Sequence, residues 1–367
     1  MRHSAFAGDV TRDDLLTWYR ANRARSRELF DLVVPDAYFD RPIPLRNPIV
    51  FYEGHLPAFS VNTLIKRTLK REGIDERLET LFARGIDPED EASVKNPTDL
   101  WPSREEVHAY GRAADALIEE ALVEADQAAF TILEHEQMHQ ETLLYMLHEM
   151  PHAKKVRGTR DEGRVTALPL ATRESRQIPA GSTTLGTPDG TFGWDNEFGA
   201  HVVDVPAFSI DAYAVTNGDW LEFMQATGAS APHFWARGER EWFWRGMFDM
   251  HPLPLDAPVW VTHDQASAYA RWKGARLPTE AEWHRAHDLG VADLTGQGWE
   301  WTSTLFAPYP GFRPMDAYPE YSVDFFDGAH YVMKGASPAT ARELIRPGFR
   351  NWFRPAYPYV YATFRCV

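Results

Sequence analysis

The residues best suited to chemistry sit in one short run, His135-Glu136-Gln137-Met138-His139. Positions four apart on an α-helix share a face, so these two imidazoles can close on a single metal ion. A third histidine, His55, lies in Phe51-Tyr52-Glu53-Gly54-His55-Leu56-Pro57, where Gly54 lets the backbone bend sharply just before it. Three neutral imidazoles meeting inside a helical bundle would hold a divalent ion facially and leave several positions open. The same five residues also fit H-E-x-x-H, the helix motif of zinc metallopeptidases in which the Glu is the general base. A peptidase needs a third ligand further along and a substrate-aligning edge strand, whereas Pro151 stops this helix and a charged run follows. Glu141 points off the histidine face of an ideal helix and reads as a carboxylate supporting the ligands from behind, as a structural group or as a solvated one.

These side chains need a frame, and residues 1–155 read mainly as helix. Asp13 to Leu32 carries Leu15, Leu16, Tyr19 and Leu29 at helical spacing, with Thr11 as N-cap. Ser103 and Glu106 form a capping-box pattern that opens a helix running to about Val123. A third helix spans Ala128 to about Met150, and a fourth pattern begins near His55 and runs to Leu69. Four helices with connections of mixed length suggest an antiparallel bundle. Residues 156–176 are charged and irregular and form the expected linker. From residue 177 to 367, Gly and Pro recur, short alternating runs such as His201 to Phe208 appear, and helical periodicity is confined to Thr216–Ala226 and Thr279–Leu289. The fold class is α+β.

Composition sets the outer bounds. At roughly 150 residues per domain, 367 residues suggest two domains. A balance of 38 basic against 53 acidic residues gives −15, which opposes docking on nucleic acid or anionic lipid. The single cysteine, Cys366, excludes an intramolecular disulfide and a multi-Cys zinc site and fits a reducing compartment. No apolar run reaches the roughly 20 residues of a membrane span, and the expectation is a cytoplasmic protein. Thirteen Trp, fourteen Tyr and twenty-one Phe crowd toward the C-terminal half and point to an aromatic-lined pocket there.

Five strings resemble the formylglycine-generating-enzyme-type domain, a C-type-lectin-related fold: Asp195-Asn196-Glu197, Val215-Thr216-Asn217, Arg276-Leu277-Pro278-Thr279-Glu280-Ala281-Glu282-Trp283, Trp299-Glu300-Trp301-Thr302-Ser303 and Phe364-Arg365-Cys366. With one Cys, the copper-thiolate chemistry of the formylglycine-generating enzymes themselves is excluded. The N-terminal H-x-x-x-H-x-E helix resembles the DinB-like four-helix bundle. The fusion of the two is similar to the non-heme iron sulfoxide synthases, which couple a thiol to hercynine, the trimethylated betaine of histidine.

That resemblance implies Fe(II) held by His55, His135 and His139, with O2 as co-substrate. It matches Tyr318, in Tyr318-Pro319-Glu320-Tyr321, to the proton-donating tyrosine, with Tyr321 as the substitute, and Trp352 to a position lining the betaine pocket, with Phe353 beside it. A trimethylammonium group lacks N–H donors, so aromatic faces suit it. Two departures stand out. The family's Gly-Gly-Ser-Trp is Gly335-Ala336-Ser337-Pro338 here, and the Asp with which some ergothioneine-pathway members hold γ-glutamylcysteine is Phe353. The surround of His55 resembles instead the branch containing selenoneine synthase, which joins a selenosugar to hercynine. The expectation is therefore C–Se bond formation, with the ergothioneine-type thiol reaction on cysteine or γ-glutamylcysteine as the alternative. A zinc peptidase and a metal-free ligand-binding module of the lectin-related kind are the readings from other classes.

Overall fold

The computed structural model describes residues 11–83, 101–124, 126–158, 174–188, 190–292 and 296–367. They divide into two units, the described part of Met1–Glu162 with Asp316–Tyr318, and that of Gly163–Met315 with Pro319–Val367. Most of the expected linker lies outside the described residues, and the first strand of the second unit already starts at Ser175. Sequence order did not foresee that Asp316–Tyr318 belong with the helices.

The first unit holds α1 (Arg12–Phe30), α2 (Ile49–Ser60), α3 (Glu76–Leu81), α4 (Arg104–Ala121) and α5 (Asp126–Glu149). Thr11 and Asp14 satisfy each other's amides and start α1. Ser103 caps α4 by accepting the Glu106 amide, but the Glu106 carboxylate pairs with Arg77 rather than completing the expected box. All twelve residues of α2 are buried. A helix wrapped on every side has no polar stripe, which is why periodicity placed its start near His55 and not at Ile49. Pro57 brings no N–H to the helical ladder, and from Val61 to Thr68 the helix widens into a π-helical stretch. Helix α2 packs on α4 and α5, and α1 packs on α5.

The second unit is assembled from small sheets: β1 (Ser175–Ile178) with β4 (Phe208–Asp211), β2 (Gly181–Leu185) with β3 (His201–Val205), β5 (Trp235–Arg237), β6 (Trp242–Arg245) and β7 (Met250–Pro252) as a meander, and a four-stranded sheet. That sheet runs β10 (Asn351–Phe353), β9 (Tyr331–Ala336), β8 (Gly298–Leu305), β11 (Ala362–Thr363), antiparallel except where β11 runs parallel to β8. Three short helices, α6 (Asn217–Thr227), α7 (His263–Trp272) and α8 (Glu280–Asp288), each begin at a threonine whose reciprocal partner lies three residues on: Asp219, Gln265 and Glu282. The sequence reading missed α7, three of whose five apolar residues are alanines.

Carboxylates of the resemblance motifs tie these loops together. Glu197 pairs with Arg346, Glu282 with Arg276, and Glu300 with Arg365 and the Trp283 indole. Glu280 is buried between two cations: it accepts from Arg350 at 3.0 and 3.2 Å and from the Tyr309 hydroxyl at 2.8 Å, with the Lys334 amine 3.7 Å away. Burial pushes its carboxyl up, but the charges of Arg350 and Lys334 outweigh that and bring it down to about 2. Relative to an unfolded carboxyl near 4.5, its contribution is complete above that pH and fades as the pH falls toward 2. Glu280→Ala strands two buried cations and should cost about 3–5 kcal/mol at neutral pH. Urea unfolding followed by tryptophan fluorescence checks the loss, and the variant should lose less of its remaining stability than the wild type on acidification through that window.

Candidate metal centre

In the first unit α2 contributes His55 and α5 contributes His135 and His139, and their ligand nitrogens all lie within 4.8 Å of one another. Ring centroids are 5.2 Å apart for His55–His135, 4.9 Å for His55–His139 and 4.4 Å for His135–His139. The convergence follows from two local rules. The i, i+4 spacing stacks the α5 pair on one face, and the α2–α5 packing brings the third ring across from it.

Aromatic walls enclose the rings. Phe59 lies face to face on His135 at 3.4 Å, Phe51 stacks on His55 at 5.1 Å, and Tyr52 tilts against His139 at 5.7 Å. Phe51, His55 and Phe59 are spaced by four residues, the same helical signal that marks the α5 pair, so these walls were legible in the sequence and were overlooked.

Burial drives all three imidazoles toward the neutral form. His55 is brought down to about 4 by burial against the opposing effect of a hydrogen bond to the Phe82 carbonyl. His135 and His139 fall well below the usual histidine range through burial and then repulsion from neighbouring positive charge. Neutral imidazoles are the ligand form. The Nδ1 atom of His139 is buried without a hydrogen-bond partner among the described residues, a polar atom that an ion would satisfy. An uncharged, all-nitrogen donor set suits a divalent transition-metal ion rather than Ca2+ or Mg2+, which take oxygen. The residues present thus fit the implied metal.

The peptidase reading fails on geometry. Glu136 is turned to α1, where it accepts from Arg23 at 2.9 Å and from the Ser26 hydroxyl at 2.6 Å. It is 2% exposed, and a general base tied up in a buried ion pair on another helix face cannot activate water at the ion. Glu141 is buried as well, which removes its reading as a solvated carboxylate.

Tyr318 belongs to this unit, its ring meeting His135 edge-on at 6.1 Å and Phe59 at 5.1 Å. Tyr321 instead lies in the second unit, stacked on Trp194 at 4.0 Å and set edge-on to Trp352 at 5.2 Å. Trp352 also stacks on Phe306 at 4.3 Å, whereas Phe353 stacks on Tyr357 at 5.0 Å. Adjacent residues of β10 point to opposite faces of the sheet, so Trp352 and Phe353 do not line one wall.

Comparison with known proteins agrees with the motif reading. The Sulfatase-modifying factor enzyme 1-like domain family matches residues 165–288 and 284–367. Hercynine oxygenase of Mycolicibacterium thermoresistibile is 32% identical, the match covering 66% of this chain and 69% of that protein. The chain belongs to the hercynine oxygenase family. Ergothioneine biosynthesis protein 1 of Schizosaccharomyces pombe is 28% identical over 92% of this chain and 53% of its own length. Hercynine oxygenase of Mycobacterium tuberculosis is 34% identical over 47% of this chain and 55% of its own length, so the chain spans about half of these last two relatives. Among the described residues no helix is long and apolar enough to cross a membrane.

Removing a ligand should separate this centre from a packed histidine cluster. His135→Ala or His139→Ala is expected to weaken Co(II) binding, read by absorption in a competition titration, by more than the roughly 100-fold that a change behind the ligands causes. Glu136→Gln should leave that affinity within about twofold while lowering the unfolding free energy by roughly 1–3 kcal/mol.

Proposed function

We propose that this chain is an O2-dependent, non-heme iron(II) enzyme that joins a thiol, cysteine or γ-glutamylcysteine, to the imidazole carbon of hercynine and oxidises the sulfur. The observation that carries the reading is the convergence of three neutral imidazoles, His55 and His135 buried and His139 partly so, in the unit that also holds Tyr318. The relatives' names favour a sulfur donor over the selenosugar that the sequence reading put first. The reaction balances as hercynine C–H, one thiol and one O2 giving the C–S bond, one sulfoxide oxygen and one water.

Iron(II), when bound by His55, His135 and His139, supplies O2 activation and acidifies a bound thiol. The protein's own contributions are separate. Neutral donors leave the ion its full positive charge for substrate anions. Phe51, Phe59 and Tyr52 keep water away from the histidine faces they cover. Tyr318 delivers the proton from its hydroxyl to oxygen leaving as water, a contribution of about 10²–10⁴-fold for a positioned acid. Trp352 offers an aromatic face to the trimethylammonium of hercynine, worth about 0.5–2 kcal/mol.

The direct test is aerobic incubation of iron-loaded protein with hercynine and, in separate arms, cysteine, γ-glutamylcysteine and a selenosugar, with products read by mass. A thiol-derived sulfoxide is expected, and a product from the selenosugar arm alone would move the assignment to selenium. Tyr318→Phe should cut coupling at least about 100-fold with metal content unchanged; undiminished product would remove Tyr318 from the mechanism. Trp352→Ala should raise KM for hercynine by about 2- to 30-fold, and an unaltered KM would exclude the betaine contact.

A further inference from the structure

His55 is held from behind by a device that the metal reading does not by itself require. Its Nδ1 lies 2.8 Å from the Phe82 carbonyl oxygen. A carbonyl only accepts, so Nδ1 carries the proton and the lone pair is left on Nε2. That carbonyl is available because Phe82 is the C-cap of α3, and the last carbonyls of a helix lack partners within it.

The place of Phe82 depends on Gly54. A Cβ at residue 54 would lie 2.3 Å from both Cε2 and Cζ of Phe82, well inside contact distance. Glycine in a helix interior costs about 1 kcal/mol relative to alanine, so its presence one residue before a ligand calls for a compensating reason. The ring of Phe82 is fully buried, 6.3 Å from Phe51 and stacked on Trp101 at 6.1 Å, which leaves it nowhere to retreat.

Helix α3 is in turn gripped from the chain that continues α2. Buried Glu79 accepts the amides of Ile74 at 2.6 Å and Asp75 at 3.1 Å and the Lys66 amine at 3.0 Å, while Asn62 donates to the Glu79 carbonyl at 3.0 Å. Asn62 and Lys66 both lie on the π-helical stretch. The chain thus closes a rigid circuit from His55 along α2 to α3 and back through Phe82 to the imidazole.

We propose that Gly54 and Phe82 are positioning residues that select Nε2 of His55 as the ligand atom and fix its direction. This rests on the metal reading above, so the closing experiment separates the two. In the metal-free wild-type chain, long-range proton–nitrogen correlation should report the Nδ1–H tautomer for His55, and the Nε2–H tautomer would overturn the proposal. Gly54→Ala should weaken Co(II) binding about 10- to 100-fold, and the double variant Gly54→Ala/Phe82→Ala, which removes the clash and keeps a backbone carbonyl, should recover part of that loss. Unchanged affinity in Gly54→Ala, or a double variant no better than the single, would overturn the positioning role while leaving the metal centre standing. Wild-type protein that fails to bind Co(II) or Fe(II) would overturn the metal reading and this inference together.

Discussion

Placing three imidazoles within reach of one another in a water-poor interior restricts almost everything around them. A proton on one of these imidazoles opposes a second on its neighbours, and burial makes each such charge costly. The cluster is therefore held in its neutral, lone-pair-bearing form before any ion arrives. Such an arrangement needs helices that are buried all round, and α2 meets that need with no exposed residue among its twelve. It also needs polar neighbours kept off the cluster. Glu136, adjacent to His135 in sequence, is drawn to Arg23 and Ser26 on α1.

The second unit meets the same difficulty, the burial of charge, mainly by pairing. There its buried carboxylates are paired: Glu197, Glu280, Glu282 and Glu300 each meet an arginine. A domain of short strands and long connections has little repetitive backbone hydrogen bonding to define it. Directional ion pairs between residues distant in sequence, such as Glu197 with Arg346, supply the register that sheets alone would not.

Much of this was readable from residue order. The i, i+4 histidines, the Thr11 cap, and the motif strings of the second unit are local patterns, and local patterns survive projection onto one dimension. Where a reading needed two distant segments it weakened. The Ser103 box was half right because Arg77, far away in sequence, competes for Glu106. Trp352 and Phe353 were adjacent in sequence and were grouped together, yet strand alternation sends them to different neighbours.

Residue order alone determined which atoms were available: two imidazoles on one helix face, a third beside a glycine, one cysteine too few for thiolate chemistry, and a domain signature from Asp195 to Cys366. The folded chain decided which of them meet. It turned Glu136 away, seated Tyr318 with the helices while leaving Tyr321 among tryptophans, and set the Phe82 carbonyl behind His55. Those outcomes depend on packing between segments tens to hundreds of residues apart, and neither spacing nor composition carries the direction in which a side chain points once its helix has found a partner.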